Sequence, residues 1–144
     1  MQISTILARK GTEVHTVDSG ASLAEAVDLL AEHGIGALVV TGPDRPVAGI
    51  ISERDIVREL ARSGSAAVER TVADVMTRQV HTCEPTATID ELSRTMTEQR
   101  IRHVPILDGG RLAGIVSIGD VVKSRLVQLE VQTEAMEAYV TGSA

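Results

Sequence analysis

Two short segments carry a hydroxyl and a carboxylate at the same spacing, which suits them to hold a polar ligand. They are Ser52-Glu53-Arg54-Asp55 and Ser117-Ile118-Gly119-Asp120, and each lies between an apolar strand-like run and a helical pattern. A helix that begins directly after a strand presents free N–H groups and a positive dipole end to an anion. A carboxylate three residues on can accept two hydrogen bonds from the vicinal hydroxyls of a ribose. The residue types therefore suit a nucleotide.

The same spacing also has a purely structural explanation. Ser-x-x-Asp is a capping box, in which the two side chains satisfy free N–H groups at the beginning of a helix. A single turn of this kind favours the structural explanation. Two such turns facing one symmetric cleft favour ligand binding, so the arrangement of the elements that carry them matters.

Both turns belong to an internal duplication, the signature to look for before any fold is assigned. Val14-His15-Thr16-Val17 recurs as Val80-His81-Thr82-Cys83, an offset of 82 − 16 = 66 positions. The run from 48 to 55 recurs from 113 to 120, at 114 − 49 = 65 positions. The lost residue falls in the intervening turn, where chains tolerate insertions and deletions. We predict a first repeat over residues 1–66 with its N-terminal segment, a second over 67–126 and a helical extension over 127–144.

Each copy predicts the same small unit. Ser22-Leu23-Ala24-Glu25 and Thr88-Ile89-Asp90-Glu91 are capping boxes that each begin a helix, and Gly34 ends the first of these helices. Short strands and another helix follow, with a tight Asp108-Gly109-Gly110 turn in the second copy. One copy of about 60 residues has too little core to be stable alone. We therefore predict an α+β fold of two βαββα-type repeats, packed sheet to sheet with pseudo-twofold symmetry around a ligand cleft.

Composition narrows the classes of function. The net charge of −6 argues against general nucleic-acid binding. Four arginines nevertheless form a basic cluster: Arg94, Arg100, Arg102 and Arg111. Binding of the phosphate of a small anion is a simpler explanation of this cluster than binding of a nucleic acid. The chain has one Cys, no Trp and no Phe, so a base would be held by aliphatic side chains. No run approaches the ~18 apolar residues of a membrane-spanning helix.

These observations lead to expectations about cofactors and location. No pair of histidines has metal-ligand spacing, and the motif positions contain no nucleophile–base pair. We expect a cytoplasmic protein that is not an enzyme, binds neither a metal nor a membrane, and requires no cofactor.

The duplicated unit resembles a tandem pair of cystathionine β-synthase-type (CBS) domains, the Bateman module. The resemblance rests on the two G-[IV]-[IV]-S-x-x-D turns and on the strands before them, and it extends from about Ile6 to Leu126. It is especially similar to small stand-alone bacterial pairs. Such a pair implies a regulatory protein with two cleft sites for adenosyl ligands such as AMP, ADP, ATP, NAD(H) or S-adenosylmethionine. It also implies a homodimer, which the C-terminal helix would support, and a regulated partner that the sequence does not identify.

By this resemblance, each site combines the turn of one copy with strands of the other. In the first site Asp55 would hold the ribose, and the full set would be Ile50, Ser52, Arg54, Asp55, Thr82, Ile101, Arg102, His103 and Pro105. The second site would use Thr16, Ile35, Gly36, Ala37, Val39, Ile115, Ser117 and Asp120. It has less positive charge, because Gly119 replaces Arg54 and Gly36-Ala37 replaces Arg102-His103. We expect a charged nucleotide in the first site, and an empty second site or one that holds an uncharged adenosine portion.

A second interpretation stays open at this point. The chain could be a ligand-independent dimerisation scaffold whose Ser-x-x-Asp turns only cap helices.

Overall fold

The computed structural model describes residues 1–142, in which two small sheets are flanked by helices. The first copy contains β1 (Thr16–Asp18), α2 (Leu23–His33), β2 (Ala37–Gly42), β3 (Arg45–Ser52) and α3 (Glu53–Ser63), after an N-terminal helix α1 (Ile3–Lys10). A 3-10 helix (Gly64–Glu69) and the short α4 (Val72–Val75) lead to the second copy. That copy contains α5 (Ile89–Gln99), β4 (His103–Asp108), β5 (Arg111–Ser117) and the long α6 (Ile118–Thr141). No helix among these residues has the length and apolar character needed to cross a membrane.

The predicted helix ends are confirmed. At Ser22 half of the predicted capping box forms, since the Ser22 hydroxyl accepts from the Glu25 N–H at 3.2 Å without a reciprocal bond. Thr88 and Glu91 form the complete reciprocal box. Gly34 ends α2 in the left-handed conformation, at φ 61°, where glycine avoids the clash of a Cβ. These features depend on a few neighbouring residues, which is why the sequence reveals them.

The two sheets differ in one strand. In the first copy β1 pairs parallel with β2, which pairs antiparallel with β3, whereas the second sheet contains only β4 and β5. Three strands per copy were predicted, and the expected third strand of the second copy is reduced to a single bridge between Cys83 and Ile106. The Ser19 N–H donates to Thr41 O at 3.0 Å in the first copy. Its counterpart is Pro85, which has no N–H to donate and cannot extend the ladder.

Each copy completes its core with a helix that precedes the other copy in the chain. Ile3, Ile6 and Leu7 of α1 are buried in the cluster formed by the second copy. Val72 and Met76, from the α4 region, are buried in the cluster of the first copy. The cores therefore cross the repeat boundary expected near residue 66, and each copy depends on the other for its apolar contacts.

Backbone hydrogen bonds within the two copies match each other. The Glu53 N–H donates to Gly36 O at 3.0 Å, and the Ile118 N–H donates to Arg102 O at 2.8 Å. Each bond fixes the first residue of a helix next to the residue that precedes a strand. The two Ser-x-x-Asp turns are thereby held in equivalent positions.

Candidate functional site

A cavity of about 350 Å³ lies between the two copies, at the turn that begins α3. We call it the first cleft. Its wall from the first copy includes Gly36, Ala37, Ile50, Ser52, Glu53, Arg54, Asp55 and Arg58. The opposite wall consists of Thr77, Gln79, Val80, His81, Arg100, Ile101, Arg102 and His103. This volume is within the roughly 300–1,000 Å³ of small-molecule sites.

The Asp55 carboxylate both caps α3 and faces the first cleft. Its Oδ2 accepts from the Ser52 N–H at 2.9 Å and from the Ser52 hydroxyl at 3.0 Å. Its Oδ1 accepts one long bond, at 3.3 Å, from the Thr77 hydroxyl, and no other from residues 1–142. A carboxylate oxygen has two lone pairs, so Oδ1 can accept a further hydrogen bond from a ligand hydroxyl. Capping and ligand binding are thus compatible in one side chain.

Four arginines give the first cleft its charge: Arg54, Arg58, Arg100 and Arg102. All four are exposed, and within residues 1–142 none of their guanidinium groups makes a hydrogen bond or an ion pair. Glu53 and Asp55 are the acidic groups on the same walls. Guanidinium groups bind phosphate through paired N–H donors, so the balance of charge favours an anion.

Arg100 lies in the cleft wall in a conformation that disfavours an arginine. It ends α5 at φ 55°, and it is the only non-glycine residue with positive φ among those described. Its counterpart in the first copy is Gly34, at φ 61°. A side chain in this region costs roughly 1–2 kcal/mol. Strained residues of this kind cluster at functional sites, which makes Arg100 a candidate phosphate ligand.

Replacing Arg100 by Gly is expected to change stability and binding in opposite directions. The free energy of unfolding should rise by about 0.5–1 kcal/mol, because the Cβ clash is removed at some cost in chain entropy. Affinity for a phosphate-bearing nucleotide should fall about tenfold, the effect of one charged hydrogen bond. Urea unfolding and titration calorimetry measure the two effects. Unchanged affinity would exclude Arg100 as a phosphate ligand.

His103 lies where the two copies meet. A Cβ placed on Gly36 would be 3.5 Å from the His103 Cε1 and 3.8 Å from the Glu53 Cδ, so the imidazole packs beside the first copy. Burial lowers the pKa of His103, and the positive charges of Lys10 and Arg102 lower it further against the opposing effects of Asp120 and Glu53. The ring is therefore mostly neutral at pH 7 and offers one N–H donor.

The structure brings most of the expected first-site residues together. Seven of the nine line the cavity, whereas Thr82 is exposed outside its lining and Pro105 is buried in β4. The sequence reasoning missed the segment from Thr77 to Val80, and it interpreted His81, which recurs with the duplication, as an ordinary strand residue beside the cleft. It also missed Arg58, which lies one helical turn after Arg54.

The expected second-site residues are not brought into one cavity. Gly36 and Ala37 line the first cleft, Ile35 packs against the first core, Val39 is buried and Thr16 is exposed. Around Asp120 there is a cavity of only about 90 Å³, which we call the second cleft, lined by Ile6, Arg9, Lys10, Asp120, Lys123 and Ser124. Ser117 caps α6 by accepting from the Asp120 N–H at 3.1 Å.

Lys10, which the sequence reasoning missed, is bound to Asp120. Its ammonium donates to Asp120 Oδ2 at 2.7 Å and to the carbonyl oxygen of Ile115 at 2.8 Å. Partial burial alone would raise the pKa of Asp120. The hydrogen bonds from Lys10 and from the Ser117 N–H outweigh burial and hold this pKa below its ordinary value. Asp120 is therefore ionised and already paired.

Comparisons with known proteins agree with this architecture. The family model for the CBS domain matches the chain twice, over residues 6–62 and 72–126. A mitochondrial CBS domain-containing protein of Arabidopsis thaliana, CBSX3, is 34% identical over 122 residues, covering 82% of this chain. The chain spans only 59% of that relative's length.

Solved structures of similar proteins cover nearly the same region. A CBS-domain containing protein of Agrobacterium tumefaciens is 46% identical with a TM-score of 0.84, over 87% of this chain and 99% of that one. The CBS domain pair of protein MJ0100, solved with 5′-methylthioadenosine and S-adenosyl-L-methionine, is 30% identical with a TM-score of 0.75. That match covers 88% of this chain and 99% of the other. Duplicated turns, exchanged helices and both family matches lead to one conclusion: the chain belongs to the CBS domain family and carries two CBS domains in tandem.

Proposed function

We propose that the first cleft binds an adenosyl nucleotide with at least one phosphate, such as AMP, ADP, ATP or NAD(H), and that its occupation regulates a partner protein or a dimer interface. CBS domain pairs are generally regulatory ligand-binding modules. The proposal keeps the expected regulatory, non-catalytic role in the cytoplasm. It rests on one observation above all, the cavity of about 350 Å³ in which Asp55 lies among four arginines whose guanidinium groups make no hydrogen bond or ion pair within residues 1–142.

The chemistry of the wall supports a ribose next to a phosphate. Asp55 Oδ1 has a free lone pair for a ribose hydroxyl. Ile50, Val80 and Ile101 provide aliphatic surface for a base. The guanidinium groups of Arg54 and Arg102 would then contact the phosphate, and His103 would add a neutral N–H donor.

The charge of the cleft also favours one adenosyl class over another. The similar CBS pair of MJ0100 was solved with two adenosyl ligands that carry no phosphate. S-adenosylmethionine has a sulfonium cation, which four nearby guanidinium groups would repel. The arginines of this chain therefore favour a phosphorylated adenosyl ligand over a sulfonium one.

The scaffold interpretation keeps some support. Ser52 with Asp55, and Ser117 with Asp120, both form complete capping boxes, as a structural role requires. A scaffold predicts no stabilisation by any nucleotide, whereas ligand binding adds RT ln(1 + [L]/Kd) to the free energy of unfolding.

Thermal denaturation and titration calorimetry with AMP, ADP, ATP, NADH and S-adenosylmethionine test the proposal. At about 100 times Kd, a phosphorylated ligand should stabilise the protein by about 2.7 kcal/mol. S-adenosylmethionine should bind more weakly. If no nucleotide binds at millimolar concentration, the regulatory proposal fails and the scaffold remains. Preference for S-adenosylmethionine over AMP would contradict the role of the arginines.

We also propose that a second copy of the chain covers one face of α6. Apolar side chains recur along this helix at alternating steps of four and three residues, interrupted once by Thr133: Val122, Leu126, Leu129, Met136 and Val140. They are 52–78% exposed. A 4–3 spacing is typical of helices that pack against another helix in a coiled-coil seam. Sedimentation equilibrium should give twice the chain mass of 15.3 kDa, and Leu129→Glu should return the protein to the monomer.

A further inference from the structure

The side chain of Lys10 lies in the second cleft next to the Asp120 carboxylate. Asp120 is the counterpart of Asp55, and its Oδ2, which also accepts from the Ser117 N–H, is 2.7 Å from the Lys10 Nζ. The same ammonium donates to Ile115 O, the counterpart of Ile50 O. Only about 90 Å³ remains beside it, against about 350 Å³ in the first cleft.

The duplication shows how the two clefts became different. At the offset of 66, Lys10 corresponds to Met76 and Gly11 to Thr77. The Thr77 N–H donates to Ile50 O at 2.8 Å, so the backbone after α4 runs along β3 and forms a wall of the first cleft. On the other side the Lys10 ammonium, rather than a backbone N–H, satisfies Ile115 O.

The segment that follows α1 also takes a different course. His81 lines the first cleft, but its counterpart His15 stacks on His33 of α2, with 3.6 Å between the ring centroids. The segment after α4 therefore forms a wall of the first cleft, whereas the equivalent segment after α1 does not line the second cleft. Lys10 occupies the space next to Asp120 instead.

From these contacts we propose that Lys10 is an intramolecular occupant of the second cleft, which limits the chain to one bound nucleotide. The limit to one nucleotide rests on the function proposed for the first cleft; the occupation of Asp120 by Lys10 does not. The second cleft opens only when the ammonium leaves Asp120. The second cleft can open without any movement of helix α1, because α4 lies in the equivalent position in the first copy and the first cleft is open.

A ligand-free experiment tests the occupation directly. The chain contains two lysines, Lys10 and Lys123; both are exposed, but within residues 1–142 Lys123 makes no hydrogen bond or ion pair. Acylation by an N-hydroxysuccinimide ester, followed by mass spectrometry, should modify Lys10 about fivefold more slowly than Lys123, the ratio that a paired ammonium supports. Asp120→Asn should remove this difference. Asp55→Asn, which disturbs the same kind of helix cap in the other copy, should leave it. Equal labelling of both lysines in the unmodified protein would overturn the proposal.

Calorimetry tests the consequence for binding. The unmodified protein should bind one AMP per chain. Lys10→Met, which introduces the residue found at the equivalent position, should bind two, because Arg9 and Lys123 still line the second cleft and can contact the phosphate. Two AMP molecules per unmodified chain, or one per folded Lys10→Met chain, would overturn the limit set by Lys10. If the unmodified protein binds no nucleotide, the function proposed for the first cleft fails, and the labelling experiment still decides whether Lys10 holds Asp120.

Discussion

Asp55→Ala is expected to weaken nucleotide binding about 100-fold, whereas Asp120→Ala should change it by less than about twofold. Asp55 Oδ1 faces the first cleft with a free lone pair, and losing one charged hydrogen bond to a ribose hydroxyl costs up to about 3 kcal/mol. Asp120 is held by Lys10 and faces only a residual cavity. Titration calorimetry with AMP measures both affinities.

The two variants form a matched pair because both carboxylates cap a helix. Asp55 Oδ2 accepts from the Ser52 N–H at 2.9 Å, and Asp120 Oδ2 accepts from the Ser117 N–H at 2.8 Å. Each variant should therefore lose about 1 kcal/mol of stability from its cap. If fraying of a helix end were enough to weaken binding, both variants would lose affinity for AMP to the same extent. A larger loss of affinity in Asp120→Ala than in Asp55→Ala would reverse the ranking of the two clefts.

Local features of this fold could be predicted from sequence because they depend on neighbouring residues. The helix caps at Ser22 and Thr88, and the left-handed Gly34, need only a few positions in a row. The first cleft was also anticipated in large part, since the duplication and the family resemblance indicate which segments face each other. Seven of the nine expected residues line it.

Long-range features escaped prediction for a physical reason. The exchange of α1 and α4 between the cores brings Lys10 to Asp120, 110 positions away, and no local pattern encodes that contact. The residues expected at the second site do not line one common cavity, for the same reason. Pro85 is the opposite case, because the loss of the third strand there follows from a local rule: proline has no N–H for the ladder.

The recurring glycine of the G-I-x-S-x-x-D turns follows from the same exchange of helices. Gly49 lies on β3 against the residues that follow α4, and Gly114 lies on β5 against α1. A Cβ on Gly49 would be 2.6 Å from the Met76 Sδ and 2.7 Å from the Thr77 carbonyl oxygen. A Cβ on Gly114 would be 2.6 Å from the Leu7 Cδ2. Both glycines allow a segment from the other copy to approach the strand closely. Gly49 faces a backbone oxygen that is held in place, whereas Gly114 faces the end of a flexible side chain.

Gly49→Ala is therefore expected to be more damaging than Gly114→Ala. The Thr77 carbonyl belongs to backbone that is hydrogen-bonded to Ile50, so it cannot rotate away, and overpacking of this kind costs about 2–3 kcal/mol. The Leu7 methyl group is the end of a flexible side chain, so Gly114→Ala should cost about 1 kcal/mol. Urea unfolding measures both. Since the displaced Thr77 also donates to Asp55, Gly49→Ala should weaken AMP binding as well, and Gly114→Ala should not. Equal losses of stability, with binding intact in both variants, would mean that the segment after α4 is free to move without disturbing the first cleft.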